Sequence, residues 1–250
     1  MRQQYFIYTP SNLCYTDREV IQVFLLTQQD HENGYFRDIG GFPDKPIITT
    51  LSEYDGSGVA CVACTQLAGR YSEAEGRKIL REWVAFLRTN PNEFRALHFN
   101  TRVPQSLFDA ACCQRELVEL RCKWGSYRDL SGLRNLTKLQ YLYLGSCSGI
   151  KGLSPIPELR ELAVLYLENP KGISDYSPLT VLPRLEQLVL SGPTLGNLAV
   201  EDLDFLRDMS ALGSVWFPNV VLRRDYSDAE REQLRATGIR GVFDQKWWEL

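Results

Sequence analysis

Three copies of one pattern lie between residues 139 and 190: LQYLYL at 139–144, LAVLYL at 162–167 and LEQLVL at 185–190. Each reads Leu-x-x-Leu-x-Leu. The middle leucines, Leu142, Leu165 and Leu188, are spaced by 23 and 23 residues. A fixed period of this size marks a solenoid, in which one unit cannot bury its apolar face alone and must stack on the next. Looser copies flank the three. Phe94-x-x-Leu97-x-Phe99, Leu117-x-x-Leu120-x-Cys122 and Leu212-x-x-Val215-x-Phe217 fit the same template. The anchors Leu97, Leu120, Leu142, Leu165, Leu188 and Val215 are then separated by 23, 22, 23, 23 and 27 residues, which makes six repeats.

A second motif runs in phase with the first. Ser131, Ser154 and Ser177 stand 23 residues apart, in DLSGL, GLSPI and DYSPL. Serine followed by proline opens a tight turn or a short 3₁₀ segment, so the returning side of each coil is expected to be narrow. Between the first two repeats, residues 105–113 suit a short helix. The longer last gap places its extra residues in a loop at 192–200, beside the strand ends, where insertions in repeat proteins fall and often bind.

The flanks differ from the repeats. Residues 4–9 (QYFIYT) and 58–67 read as strands, 17–28 as a helix, and 31–45 as a loop. Ser72 and Glu75 form a capping box that opens a helix. Ile79, Leu80, Trp83, Val84 and Leu87 give it one apolar face, and Asn90-Pro91 stops it. It is expected to cover the open end of the stack. Ser227 and Glu230 form a second capping box, in a helix closed by Gly238, and residues 241–250 read as a strand or tail. The expected divisions are an α/β capping region at 1–91, repeats at 92–222 and a C-terminal cap at 223–250.

The repeats resemble those of bacterial short leucine-rich-repeat proteins, of the kind found in internalins, over about residues 92–222. That resemblance implies an α/β solenoid: a parallel sheet on the concave face, a short helical or irregular convex side, and an α/β cap before it. It also implies a concave face that binds another protein. The chain departs from the family in one slot. Where an asparagine usually stands after the last leucine it has Gly125, Cys147, Pro170 and Pro193, so a continuous asparagine ladder is absent. Internalins are exported surface proteins. The N-terminus shows no signal-peptide pattern, so their adhesive role is not carried over.

Because strand side chains alternate, the x between the second and third leucines points away from the core. In chain order that column is His98, Arg121, Tyr143, Tyr166, Val189 and Trp216. Tyr141 lies beside it, with Lys123, Trp124 and Glu168 after it. Aromatics and arginine form interface hot spots, whereas aromatics are also common on sheets for cross-strand packing alone. The candidate partner-binding residues are Arg121, Lys123, Trp124, Tyr141, Tyr143, Tyr166, Glu168 and Trp216. Their mixed charge points to a protein or peptide rather than a polyanion.

Bulk properties agree. The formal net charge is −3 and the pI about 5.6, which gives no reason to expect nucleic acid. No apolar run approaches a membrane span. Seven irregularly spaced cysteines argue against a secreted disulfide framework. No cofactor or metal motif stands out. Cys61-x-x-Cys64 lies in a strand-like stretch, where residues three apart face opposite ways, and no second pair completes a zinc site. The reading is a non-enzymatic, cytoplasmic bacterial interaction protein, possible as an immunity or regulatory protein. The rival is an enzyme with a reactive cysteine, Cys14 or Cys61/Cys64, in the N-terminal region.

Overall fold

The computed structural model describes residues 46–193 and 195–243. The expected strand at 4–9, helix at 17–28, the loop at 31–45, Cys14 and the last residues of the tail lie outside them.

Eight parallel strands form one sheet: β1 (Ile47–Ile48), β2 (Val59–Val62), β3 (Ala96–Pro104), β4 (Glu119–Ser126), β5 (Tyr141–Leu144), β6 (Val164–Glu168), β7 (Gln187–Ser191) and β9 (Ser214–Trp216). They follow one another in chain order apart from β8 (Leu198–Val200), which leaves the sheet and pairs with β10 (Val220–Leu222). The repeat anchors are direct register partners: Leu97 pairs Leu120, Leu120 pairs Leu142, and so on through Leu165 and Leu188 to Val215. All six are buried. A one-residue slip would turn every leucine of a strand outward, so this column fixes the register.

Parallel strands need a crossover, and its form varies along the chain. Helix α1 (Glu73–Thr89) joins β2 to β3, and α2 (Gln105–Ala111) joins β3 to β4. Later crossovers shrink to 3₁₀ turns at Ser131–Asn135, Ile156–Glu158, Ser177–Leu179 and Asp204–Asp208. This is the narrow return side expected from the serine motif. The capping box of α1 is present, with Ser72 Oγ accepting from Glu75 N–H and the Glu75 carboxylate accepting from Ser72 N–H. Its apolar face buries Ile79, Trp83 and Leu87.

The position of α1 differs from the expectation. It is a return limb lying beside α2, not a lid over the end of the stack, because β2 pairs with β3 and β1 with β2, extending the same sheet by two strands. Strands of the sheet therefore lie on both sides of residue 91. Gln114 ties this coil to the next: its Oε1 accepts from Phe94 N–H at 3.0 Å, and its amide donates to Leu87 O at 2.5 Å and Asn90 O at 2.9 Å.

In place of an asparagine ladder, backbone groups beyond the strand ends bond coil to coil. Gly125 N–H donates to Gly145 O, Cys147 N–H to Glu168 O, Asn169 N–H to Ser191 O, and Gly192 N–H to Pro218 O. The Cys147 thiol adds a bond to the Glu168 carbonyl at 3.1 Å. Such close approach excludes side chains at several glycines, Gly145 and Gly192 among them. A Cβ on Gly145 would sit 2.0 Å from Lys123 O, and one on Gly192 2.1 Å from Asn219 O. The insertion at 192–200 supplies β8, and α3 (Asp228–Arg235), opened by the Ser227–Glu230 capping box, closes the described chain.

Leu165 lies mid-stack and is fully buried. Leu165→Ala should lower unfolding stability by about 3 kcal/mol through lost burial and a cavity, read as a reduced urea midpoint with an unchanged slope.

Candidate functional site

The outward column predicted from the repeats exists as a line of register partners. His98 pairs Arg121, Arg121 pairs Tyr143, Tyr143 pairs Tyr166, Tyr166 pairs Val189, and Val189 pairs Trp216. Cys61 precedes His98 in the same line. The leucine face packs on the helices and turns as one core. Tyr141, Ala163 and Val164, with Tyr143 against them, form a separate apolar cluster on the other face.

The centre of the column is an aromatic pair. The Tyr143 and Tyr166 rings lie 4.7 Å apart between centroids and tilt by 31°. Tyr143 Oη donates to Glu168 Oε2 at 2.8 Å, and Ser191 Oγ donates to Tyr166 Oη at 3.2 Å. Burial, with the Glu168 carboxylate beside it, pushes the Tyr143 phenol well above its ordinary range, and burial also raises Tyr166. Both stay neutral hydrogen-bonding groups at any physiological pH. They are half-buried, so one edge of the pair reaches solvent.

The most open candidates are the two tryptophans. Trp124 is 42% exposed and Trp216 40%. Lys123 Nζ lies 5.0 Å from the Trp124 ring centroid, within cation–π reach, and donates to Asn100 Oδ1 at 3.4 Å. Lys123 and Glu168 are themselves half-buried.

Two candidates are placed differently from the rest. Tyr141 is fully buried and Arg121 nearly so. Arg121 Nε donates to Glu119 Oε1 at 2.5 Å, and its guanidinium lies 4.4 Å from the Tyr141 ring centroid. His98 Nε2 is 3.1 Å from the same Glu119 oxygen. Sequence alone gave Glu119 no such role: a glutamate two residues before an arginine reads as an ordinary exposed pair. The eight candidates thus divide into a shielded pair, Arg121 and Tyr141, and more open residues, with Arg121 in the same register line as Tyr143, Tyr166 and Trp216.

Cys61 and Cys64 are buried. Cys61 lies in the outward column and Cys64 in the leucine core, the opposite facing expected for residues three apart on a strand. Burial pushes the Cys61 thiol up to about 11 and the Cys64 thiol up to about 12. Among the described residues no group of three or more His, Cys, Asp or Glu could hold a metal ion, and no helix is long and apolar enough to cross a membrane.

No family model and no curated protein matches the chain. Solved structures do. Internalin C2 of Listeria monocytogenes is 24% identical over 55% of this chain and 67% of its own, with a TM-score of 0.39. An internalin F of the same organism is 18% identical over 61% of this chain and 55% of its own, with a TM-score of 0.41. A leucine-rich-repeat protein of Leptospira interrogans is 13% identical over 77% of this chain and 51% of its own, with a TM-score of 0.48. The chain therefore spans about half the length of two of these three.

Thiolate forms at Cys61 and Cys64 only as pH rises toward 11 and 12, and the thiolate is the reactive species. Alkylation of both in the native protein should therefore be slow at neutral pH and accelerate only in strong base. Rapid modification near pH 6 at either position would restore the reactive-cysteine reading. The leucine period, the in-register parallel strands and the 3₁₀ returns together make this chain a leucine-rich-repeat solenoid with short repeats.

Proposed function

We propose that the chain is a non-enzymatic binding module that takes one protein or peptide partner along the C-terminal ends of its strands. The observation that carries this reading is the Tyr143–Tyr166 pair. Its rings are in contact, fixed by Glu168 and Ser191, and half-buried, with exposed Trp216 further along the same register line. Rigid aromatics with a bonded hydroxyl offer contact area at little entropic cost, the property that makes tyrosine and tryptophan dominant anchors.

The strip suits a peptide or protein surface better than a nucleic acid. The strip carries both signs of charge, with Lys123 on β4 and Glu168 on β6. A phosphate backbone would call for a run of unopposed cations. Holding a single partner on such a strip is the action of a regulatory or immunity protein, and that is the specialisation we infer.

The test pairs wild-type protein with the Tyr143→Ala/Tyr166→Ala/Trp216→Ala variant as baits for a native lysate, with circular dichroism showing that both are folded. A partner retained by the wild type alone is the expected result. Equal retention by both would remove the strip from the binding surface.

A further inference from the structure

Several carboxylates of the repeats answer a cation. Glu116 pairs with Lys138 and Glu161 with Arg184 from one coil to the next, and Glu119 meets Arg121. Glu168 does not. Among the described residues it enters no ion pair. Its Oε2 accepts from a neutral phenol, Tyr143 Oη, at 2.8 Å, and its Oε1 has no hydrogen-bond partner among those residues.

The register explains this isolation. Lys123, Gly145 and Glu168 each directly follow one of the register partners Cys122, Leu144 and Leu167. Lys123 therefore stands two strands, or about 10 Å, from Glu168. Its ammonium reaches the other way, to Asn100 Oδ1 on β3 at 3.4 Å. Gly145 brings no side chain between them, and Tyr143 Oη uses that space, 2.8 Å from where a Gly145 Cβ would stand. The result is a half-buried carboxylate beside two half-buried rings whose centroids are 4.7 Å apart. Burial raises the Tyr143 and Tyr166 phenols, and the Glu168 charge adds to the rise at both, so its field reaches both rings. A carboxylate drawn partly out of water is only partly compensated by one neutral donor.

The missing complement is a cation with an apolar, planar surface. A ring face attracts a positive charge. A guanidinium can lie flat on such a ring and give a carboxylate two parallel N–H bonds, whereas an ammonium is more strongly hydrated and has no plane to offer. We infer that the partner's anchoring residue is an arginine, its guanidinium bonded to Glu168 and set against the Tyr143–Tyr166 rings. This rests on the strip being the binding surface proposed above.

The probe is Nα-acetyl-arginine methylamide, titrated into the full chain carrying ring-labelled tyrosine and read by NMR. Its citrulline counterpart has the same shape without the charge. The Tyr143 and Tyr166 ring resonances should respond at about tenfold lower concentration of the arginine probe, the factor expected for a charge-assisted bond. In Glu168→Gln, whose amide oxygen can still accept from Tyr143, that advantage should vanish. Equal responses to the two probes, an undiminished response in Glu168→Gln, or no response to either probe would each overturn the inference. In the lysate capture, folded Glu168→Gln serves as a third bait and should lose the partner as the triple alanine variant does. A partner kept in full by Glu168→Gln but lost by the triple variant would overturn the arginine and leave the strip standing. Equal retention by all three baits would remove the strip itself, and the arginine with it.

Discussion

The structure depends on in-register parallel pairing of the leucine strands. Each coil carries three inward apolar residues that its own chain cannot cover, and the next coil must bring the same three to the same height. Leu97, Leu120, Leu142, Leu165, Leu188 and Val215 meet this demand directly. A fully buried leucine contributes about 2 kcal/mol relative to an exposed one, and a slip of one residue would forfeit that contribution along the whole strand. The backbone bonds beyond the strand ends then hold the coils at fixed spacing without the asparagines that related repeats use. At Gly145 and Gly192 the approach of a neighbouring carbonyl leaves no room for a Cβ.

That same register organises the outward face. Once the leucines are fixed, alternation dictates that His98, Arg121, Tyr143, Tyr166, Val189 and Trp216 share a line, and the stacking of Tyr143 on Tyr166 follows from their being register partners. The hydroxyl bonds to Glu168 and Ser191 convert two flexible rings into a fixed surface. Position across the sheet then separates two environments: a buried Glu119–Arg121–His98 knot on β3 and β4, and a half-buried tyrosine pair on β5 and β6 with open Trp216 on β9.

How much of this was legible follows from which features are periodic. The leucine columns, the outward line, the 3₁₀ returns and both capping boxes were readable, because each rests on local spacing of at most one repeat. The role of α1 was not. Whether a helix caps a stack or returns between strands depends on β2 joining the sheet, and Val59–Val62 lacks the leucine template. Gln114 was equally opaque: its partners Phe94, Leu87 and Asn90 lie 20, 27 and 24 residues away, and a lone glutamine carries no sign of burial. The exposure of Tyr141 and Arg121 was misjudged for a related reason. Alternation tells which face a side chain takes, but not how deeply it is buried there. Four extra residues at 192–200 marked an insertion, yet that it supplies β8 depends on Val220–Leu222, beyond the last repeat.

The account rests on the coils being mutually dependent. Amide hydrogen exchange of the native chain tests this most directly, read at Leu142, Leu165 and Leu188 in the three central strands. If each coil is buried only by its neighbours, the three amides should exchange slowly and with the same opening free energy, as one cooperative unit. Exchange at any one of them far faster than at the other two would show that its strand opens alone, and would contradict the in-register stack from which the outward face is derived.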